Sequence, residues 1–274
     1  MAPTDFAPIS DADDPRLADF RRLNDGGHRR QVEAAGPFHT GLFVAEGWLV
    51  LERLLRSGYN TRSILVVEGR IDRLDAIRGR REIPTFTASQ DVVDRVVGFP
   101  LHRGVVASAD RGRPLLADHV IGRASQLVLL EGINDAENMG ALLRSARVLG
   151  CDGVLLDATC CDPLSRRAVR VSMGHALALP IARSPWPDDA GDVRSAGFTI
   201  HAMTPGVDAI DIDHVDRPAD SRVAVALGAE GPGLSSQALA GADVAVGIPI
   251  APDTDSLNVA AAAAIAFQRL FRAK

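Results

Sequence analysis

The chain has 274 residues, of which 46% are hydrophobic, 24% charged and 4% aromatic, and its formal net charge is −5. That length holds one large domain or two ordinary ones, and the apolar fraction excludes global disorder. No apolar run reaches membrane-spanning length, the N-terminal MAPTDFAPIS has neither a basic region nor an apolar core, and three cysteines are too few for a disulfide scaffold, so a cytoplasmic, reducing setting is expected.

Residues 1–40 are polar and irregular, with an acidic run from Asp11 to Asp14, and read as an N-terminal extension with one helix. From Leu42 the pattern sharpens. Trp48, Leu51, Leu54 and Leu55 recur at helical spacing within FVAEGWLVLERLLRSG, predicting a helix that stops at Gly58. Strands are predicted at Ser63–Gly69, Ile83–Ser89 and Gly104–Asp110, with helices at Ile71–Arg80 and Gln90–Gly98 between them. This alternation makes residues 41–112 a small α/β domain. Gly112 and Pro114 break the following segment, which reads as a linker.

Residues 116–274 alternate again. Strands are predicted at Gln126–Ile133, Gly153–Thr159, Phe198–Thr204, Arg222–Gly228 and Asp243–Ile250. Helices are predicted at Glu137–Gly150, Pro163–Leu177 and Ser256–Lys274. Strands that are nearly continuously apolar predict a parallel sheet covered on both faces.

Charge is unevenly placed. Residues 1–115 hold 17 basic and 16 acidic residues, and the rest of the chain carries net −6. Lys274 is the single Lys among 30 basic residues, which reads as codon bias. The bias does not explain clustering: Arg53 to Arg81 holds eight Arg against Glu68, Asp72 and Asp75. A total of −5 argues against a nucleic-acid partner, but this cluster supplies a local basic footprint. Its bland counterpart is a solvated basic face.

Three segments carry candidate chemistry, each where a strand gives way to a turn or helix, the place ligands occupy in open α/β sheets. In residues 133–144, Asn138 is suited to cap the helix or hold a polar ligand, Gly140 permits close approach, and Arg144 offers planar donors. In residues 227–235, Gly228, Gly231 and Gly233 bracket Glu230 after an apolar strand. The fragment matches neither G-x-G-x-x-G nor the P-loop, and a Glu there repels phosphate but suits a hydroxyl, an amine or a sulfonium. In residues 249–259, Ser256 is placed to cap the final helix, with Asn258 in its first turn.

Taken together, the three segments resemble the signature motifs of the SpoU (TrmH-like) branch of the SPOUT RNA methyltransferases. The Asn-x-Gly followed by Arg is Asn138, Gly140 and Arg144. The Gly-x-Glu-Gly-x-Gly is Gly228, Glu230, Gly231 and Gly233. The closing Ser-Leu-Asn-Val is Ser256, Leu257, Asn258 and Val259. Arg170, Ser172 and Gly174 match the family's linking segment, and the resemblance runs through residues 116–274. Residues 41–112 more loosely resemble the ribosomal-protein-like substrate-binding domain that many members carry in front.

The resemblance implies a trefoil-knotted SPOUT methyltransferase domain, a fold that periodicity alone never suggests. It implies S-adenosylmethionine held by Leu227, Gly228, Ala229, Glu230, Gly231, Ile248, Pro249, Ile250, Ser256 and Leu257. It implies a homodimer and methyl transfer to a ribose 2′-hydroxyl of structured RNA, with ribosomal RNA favoured and transfer RNA as the other substrate, without metal or membrane. The implied catalytic set is Asn138, Arg144, Glu230, Ser256 and Asn258. A guanidinium carries no free lone pair to take a proton, which makes Arg144 a stabiliser of a developing alkoxide or of the adjacent phosphate, not a proton acceptor. Arg73, Arg78, Arg80 and Arg81 are the expected RNA contacts.

Two alternatives stand beside this reading. One is an RNA- or ribosome-binding protein that keeps the fold without methyl transfer. The other is a metabolic nucleotide-binding enzyme using the Gly228–Gly233 loop. Asp211, Asp213, His214 and Asp216 read as a solvated acidic loop, the cysteines lack zinc spacing, and no G-x-S-x-G is present.

Overall fold

The computed structural model describes residues 6–27, 41–79, 81–206, 208–216, 221–254 and 256–272. The chain divides into two compact units: Met1–Arg113 with Leu164–Leu177, and Pro114–Pro163 with Ala178–Lys274.

The first unit holds strands β1 (Phe6–Pro8), β2 (Leu42–Glu46), β3 (Thr61–Val67), β4 (Thr85–Ala88) and β5 (Val105–Asp110), with helices α1 (Trp48–Arg56), α2 (Ile71–Arg78) and α3 (Gln90–Val97). They form a mixed sheet in the order β1-β4-β3-β5-β2, in which β5 runs antiparallel to both its neighbours. Side chains alternate between its faces. Leu65 and Val106 join Leu17, Phe20 and Val93 on one side, while Ile64 and Val105 join Leu51, Leu54 and Leu74 on the other.

Leu42–Glu46 corrects the helix expected from Phe43 onward. All five residues are buried as a strand, so the alternation that marks a half-exposed strand is absent. The helix begins only at Trp48. Nor is the N-terminal stretch a bare extension. β1 pairs in parallel with β4, and the short 3₁₀ turn Pro15–Phe20 buries Leu17 and Phe20.

Residues Leu164–Leu177 fold into this unit although their sequence neighbours belong to the other. Their helix α4 is Arg166–Val171. Val169 and Leu177 enter the core, and Arg166 meets the buried Glu46 carboxylate at 2.6 Å. The helix predicted through Leu177 ends early because Met173 and Gly174 adopt φ 54° and 83°, which break the helical hydrogen-bond run.

The second unit contains α5 (Ala117–Arg123), β6 (Gln126–Glu131), α6 (Ala136–Val148), β7 (Gly153–Leu156), β8 (Ile181–Arg183), α7 (Ala190–Ser195), β9 (Phe198–Met203), β10 (Ile210–Asp211), β11 (Arg222–Gly228), α8 (Ser236–Gly241), β12 (Val244–Gly247) and α9 (Val259–Leu270). Seven strands form a sheet in the order β10-β12-β9-β11-β6-β7-β8, and each described pairing is parallel. Leu127, Leu129, Ala224 and Ala226 pack against α5, α7 and α8 on one face. On the other face α9 packs against β11 and against α6. The sequence reading missed α5, α7, β8 and β10; the two strands have only three and two residues, too few to show a period.

His201 lies buried in β9 between β11 and β12, its Nδ1 3.2 Å from the Thr199 carbonyl. Burial holds its pKa below the ordinary 6.5. The unfolded chain therefore binds a proton that the folded chain refuses as pH falls below about 6.5. Stability is complete above that value and is lost on the way down to the depressed folded pKa. Denaturant midpoints measured from pH 7.5 to 5.5 are expected to fall, and His201→Gln is expected to flatten that slope.

Candidate active site

Because the second sheet is parallel, β6, β11 and β12 present their carboxyl ends on one edge. Gly228 of β11 stands opposite Glu131 of β6. The loops leaving this edge carry all three motifs.

The β11 loop turns back at once. Gly233 N–H donates to the Ala229 carbonyl at 3.0 Å, closing a tight turn with Glu230 and Gly231 at its tip. A Cβ built on Gly228 would lie 2.1 Å from the Gly233 carbonyl carbon and 2.3 Å from Leu234 N. The Gly233–Leu234 peptide leaves no room for any side chain there. Gly228→Ala is expected to open the turn, cost about 3 kcal/mol, and lower the thermal midpoint by several degrees; circular dichroism on the purified variant reads this directly.

Asn258 is the junction of the site. Its Oδ1 accepts from Ala260 and Ala261 N–H as the N-cap of α9. Its Nδ2 donates to Asn138 Oδ1 at 2.9 Å and to Glu230 Oε1 at 2.5 Å. Every polar function of the Asn258 side chain is thereby used. No described residue bonds to the Asn138 amide hydrogens or to the second Glu230 oxygen, leaving an amide donor and a carboxylate acceptor on the two side chains that Asn258 joins. Such a pair suits a ligand carrying hydroxyls.

Two capping assignments are corrected here. Asn258, not Ser256, caps the last helix, while Ser256 is exposed and bonds to no described residue. Asp135, not Asn138, caps α6, its carboxylate accepting from Glu137 and Asn138 N–H at 2.9 Å. Asn138 is thus spared for Asn258.

Arg144 is not in the Asn138–Glu230–Asn258 cluster. It is exposed on α6, six residues and about 9 Å along the axis from Asn138, and pairs with no described residue. Leu227 is buried at the end of β11; Ala229 is half-buried and Gly231 exposed in the turn. Ile248 is half-buried after β12, with Pro249 exposed. Ile250 and Leu257 are apolar side chains left 38% and 40% exposed on the same loop.

Two residues missed in the sequence hold the loops. Glu131 Oε2 accepts from Ser235 N–H at 2.9 Å, tying the start of α8 to β6. Asp157, at the end of β7, accepts from Gly132 N–H, Cys160 N–H and Thr159. Burial by itself would raise the Asp157 pKa, but these hydrogen bonds outweigh it and hold the carboxyl below the usual range. A carboxylate ending an apolar strand was the available signal. Burial pushes the Cys160 thiol up to about 12 and Cys161 to about 11, so neither is a thiolate nucleophile near neutrality. Asp213 of the acidic loop pairs with Arg269 at 2.7 Å.

The expected RNA contacts separate. Arg78 is 5% exposed, bonded to Thr85 Oγ1 at 3.1 Å and stacked on Phe6, so it is part of the first unit's interior and cannot reach a phosphate. Arg73 is exposed, with its guanidinium carbon over the Trp48 ring, 4.6 Å from the centroid. Arg81 is exposed and donates to the Arg78 carbonyl. Arg80 lies outside the described residues. Arg103 is exposed and lies against Gly47, its Cδ 2.6 Å from where a Cβ on that glycine would stand.

Comparison with known proteins bears on this site. The model of the SpoU rRNA Methylase family matches residues 125–268. An uncharacterised tRNA/rRNA methyltransferase of Mycobacterium tuberculosis is 42% identical over 265 residues, covering 96% of this chain and 91% of that protein. The 23S rRNA (guanosine(2553)-2′-O)-methyltransferase RlmP of Bacillus subtilis is 24% identical over 259 residues, covering 94% and 96%. The crystal structure of an AdoMet-bound rRNA methyltransferase from Sinorhizobium meliloti superposes with a TM-score of 0.79 at 25% identity, covering 96% of this chain and 97% of that one.

Proposed function

The chain belongs to the SpoU rRNA methylase family of RNA methyltransferases, and from that premise we propose that it moves a methyl group from S-adenosylmethionine to a ribose 2′-hydroxyl, with ribosomal RNA as its substrate. The observation that carries this reading is the Asn258 junction, which draws Asn138 and Glu230 together beside a turn that admits no side chain at Gly228. The names of the Bacillus subtilis and Sinorhizobium meliloti relatives, an rRNA 2′-O-methyltransferase and an AdoMet-bound rRNA methyltransferase, support the substrate and cofactor.

The residues present fit the cofactor. Ile250 and Leu257 offer apolar surface for an adenine, and the Gly228–Gly231 turn offers backbone with no side chain in the way. Leu227, Ala229, Glu230, Ile248, Pro249 and Ser256 complete the pocket. When bound, S-adenosylmethionine supplies an electrophilic methyl group on a cationic sulfur. Asn138 and Glu230 orient the ribose through their free amide and carboxylate oxygen, which is a positioning task. Arg144 holds the negative charge that grows as the ribose hydroxyl loses its proton. Ser256 and Leu257 shape the approach to α9.

Arg144 reaches such a site in a homodimer. Val148, one turn further along α6, shares its helix face with Arg144 and is 61% exposed, and Ile265 of the neighbouring α9 is 38% exposed. Covering these apolar side chains with a second copy carries Arg144 into the interface. We assign to the second unit the trefoil-knotted path of the family, its methyltransferase domain being residues 116–274 apart from Leu164–Leu177, and to the first unit the role of a ribosomal-protein-like RNA-binding domain. Arg73, Arg81 and Arg103 are its RNA contacts. Arg73 is exposed over the Trp48 ring, and an exposed guanidinium suits stacking on an unpaired base.

The test is transfer of labelled methyl from S-adenosylmethionine to purified ribosomal and transfer RNA. Label in ribosomal RNA is expected. Cofactor binding with transfer to neither RNA overturns the reading in favour of a binding protein.

A further inference from the structure

A cavity of about 280 Å³ in the first unit lies apart from every motif above, lined by Ala12, Asp13, Arg21, Arg22, Arg95 and Val96. Its shape follows from how the N-terminal segment meets α3. After the Pro15–Phe20 turn, Arg22 and Leu23 N–H donate to the Val96 and Val97 carbonyls, both at 2.9 Å. These bonds satisfy carbonyls that the end of α3 would otherwise leave open. They also place Arg22 at φ 48°, a left-handed conformation that a residue with a side chain adopts at a cost.

The side chains around this cap are under-used. Arg22 and Arg95 are exposed and pair with no described residue. Arg21 is held by Nη2, which donates to the Asp14 carbonyl at 3.1 Å, yet its Nε is buried with no acceptor. A buried guanidinium N–H without a partner is costly. The one carboxylate in the lining, Asp13, lies 3.6 Å from Arg21 Nη1 and is 91% exposed. Asp14 is taken by Arg16 at 2.7 Å. Three guanidinium groups against one solvated carboxylate leave the cavity cationic.

We propose that this cavity is a phosphate site that takes one phosphate of the substrate RNA backbone. The proposal rests on the RNA-substrate reading above and adds a grip remote from Arg73 and Arg103. Guanidinium donors match phosphate oxygens in geometry and keep their charge at any physiological pH. A phosphate there supplies the acceptor that the exposed Arg22 and Arg95 guanidinium groups lack. Such a contact fixes register on the RNA without reading a base.

The test uses the full chain with Arg22→Gly and Arg95→Gln combined. Glycine adopts φ 48° freely, so Arg22→Gly keeps or raises the thermal midpoint, and lost binding cannot be ascribed to lost folding. Affinity for the RNA that the wild type methylates is measured across a salt series. The double variant is expected to bind roughly tenfold more weakly at 0.1 M salt, with the slope of log affinity against log salt shallower by about one. Equal affinity and slope, with the wild type still methylating that RNA, overturn the site and leave the RNA-methyltransferase reading standing. A wild type that binds no RNA overturns both. Inorganic phosphate that stabilises the wild type but not the double variant, with RNA affinity equal in the two, assigns the cavity to free phosphate and overturns the RNA assignment.

Discussion

Arg144→Ala is expected to cut methyl transfer to RNA by roughly a hundredfold or more, while S-adenosylmethionine binding and the thermal midpoint hold at wild-type values. Nothing in the fold depends on this side chain, since it is exposed and pairs with no described residue. In the reading proposed above, its use lies with the substrate. Arg144→Lys keeps the charge but not the planar fork, so partial activity is expected. A wild-type rate in Arg144→Ala removes the residue from catalysis; joint loss of transfer and stability makes it structural.

The same variant tests where Arg144 acts. If it serves the site of a second copy, mixing Arg144→Ala with Asn258→Ala regenerates one intact site per mixed dimer. About a quarter of wild-type activity is then expected from two preparations that are each inactive. No recovery places Arg144 and Asn258 in service of the same chain's site.

Asn258→Asp is the second large effect. Aspartate keeps the oxygen that caps α9 but has no hydrogen to give Asn138 or Glu230, and it sets a second carboxylate against Glu230. Transfer is expected to fall about a hundredfold with helix content intact by circular dichroism. Asn258→Ala loses the cap as well and is expected to cost a further 1–2 kcal/mol or so of stability. Wild-type transfer by Asn258→Asp means that the Asn138–Glu230–Asn258 cluster is not the reacting site.

Much of the second unit was legible because its central strands are long and apolar, and their carboxyl ends coincide with the three motifs. What escaped was set by long-range contact. Asn258 and Asn138 are 120 positions apart, and only the structure joins them. Ser256 looked like the cap because Ser is a good capping residue, but Asn258 caps equally well and stands where the helix actually begins. In the first unit the burial of Leu42–Glu46 on both faces erased the alternation that distinguishes strand from helix. Arg78 could not be told from its exposed neighbours by charge alone, since its burial is created by Thr85 and Phe6. The exchange of Leu164–Leu177 into the first unit has no local signature; it depends on Glu46, a residue of β2 far away in sequence.

The most direct measurement uses the chemistry of the ribose itself. A 2′-O-methyl group removes the hydroxyl that attacks the neighbouring phosphate in alkali, so the bond beside it survives hydrolysis. Ribosomal RNA labelled by the purified protein and S-adenosylmethionine, then digested in alkali, is expected to carry its label in dinucleotides. Label recovered in mononucleotides would place the methyl on a base and contradict ribose methylation.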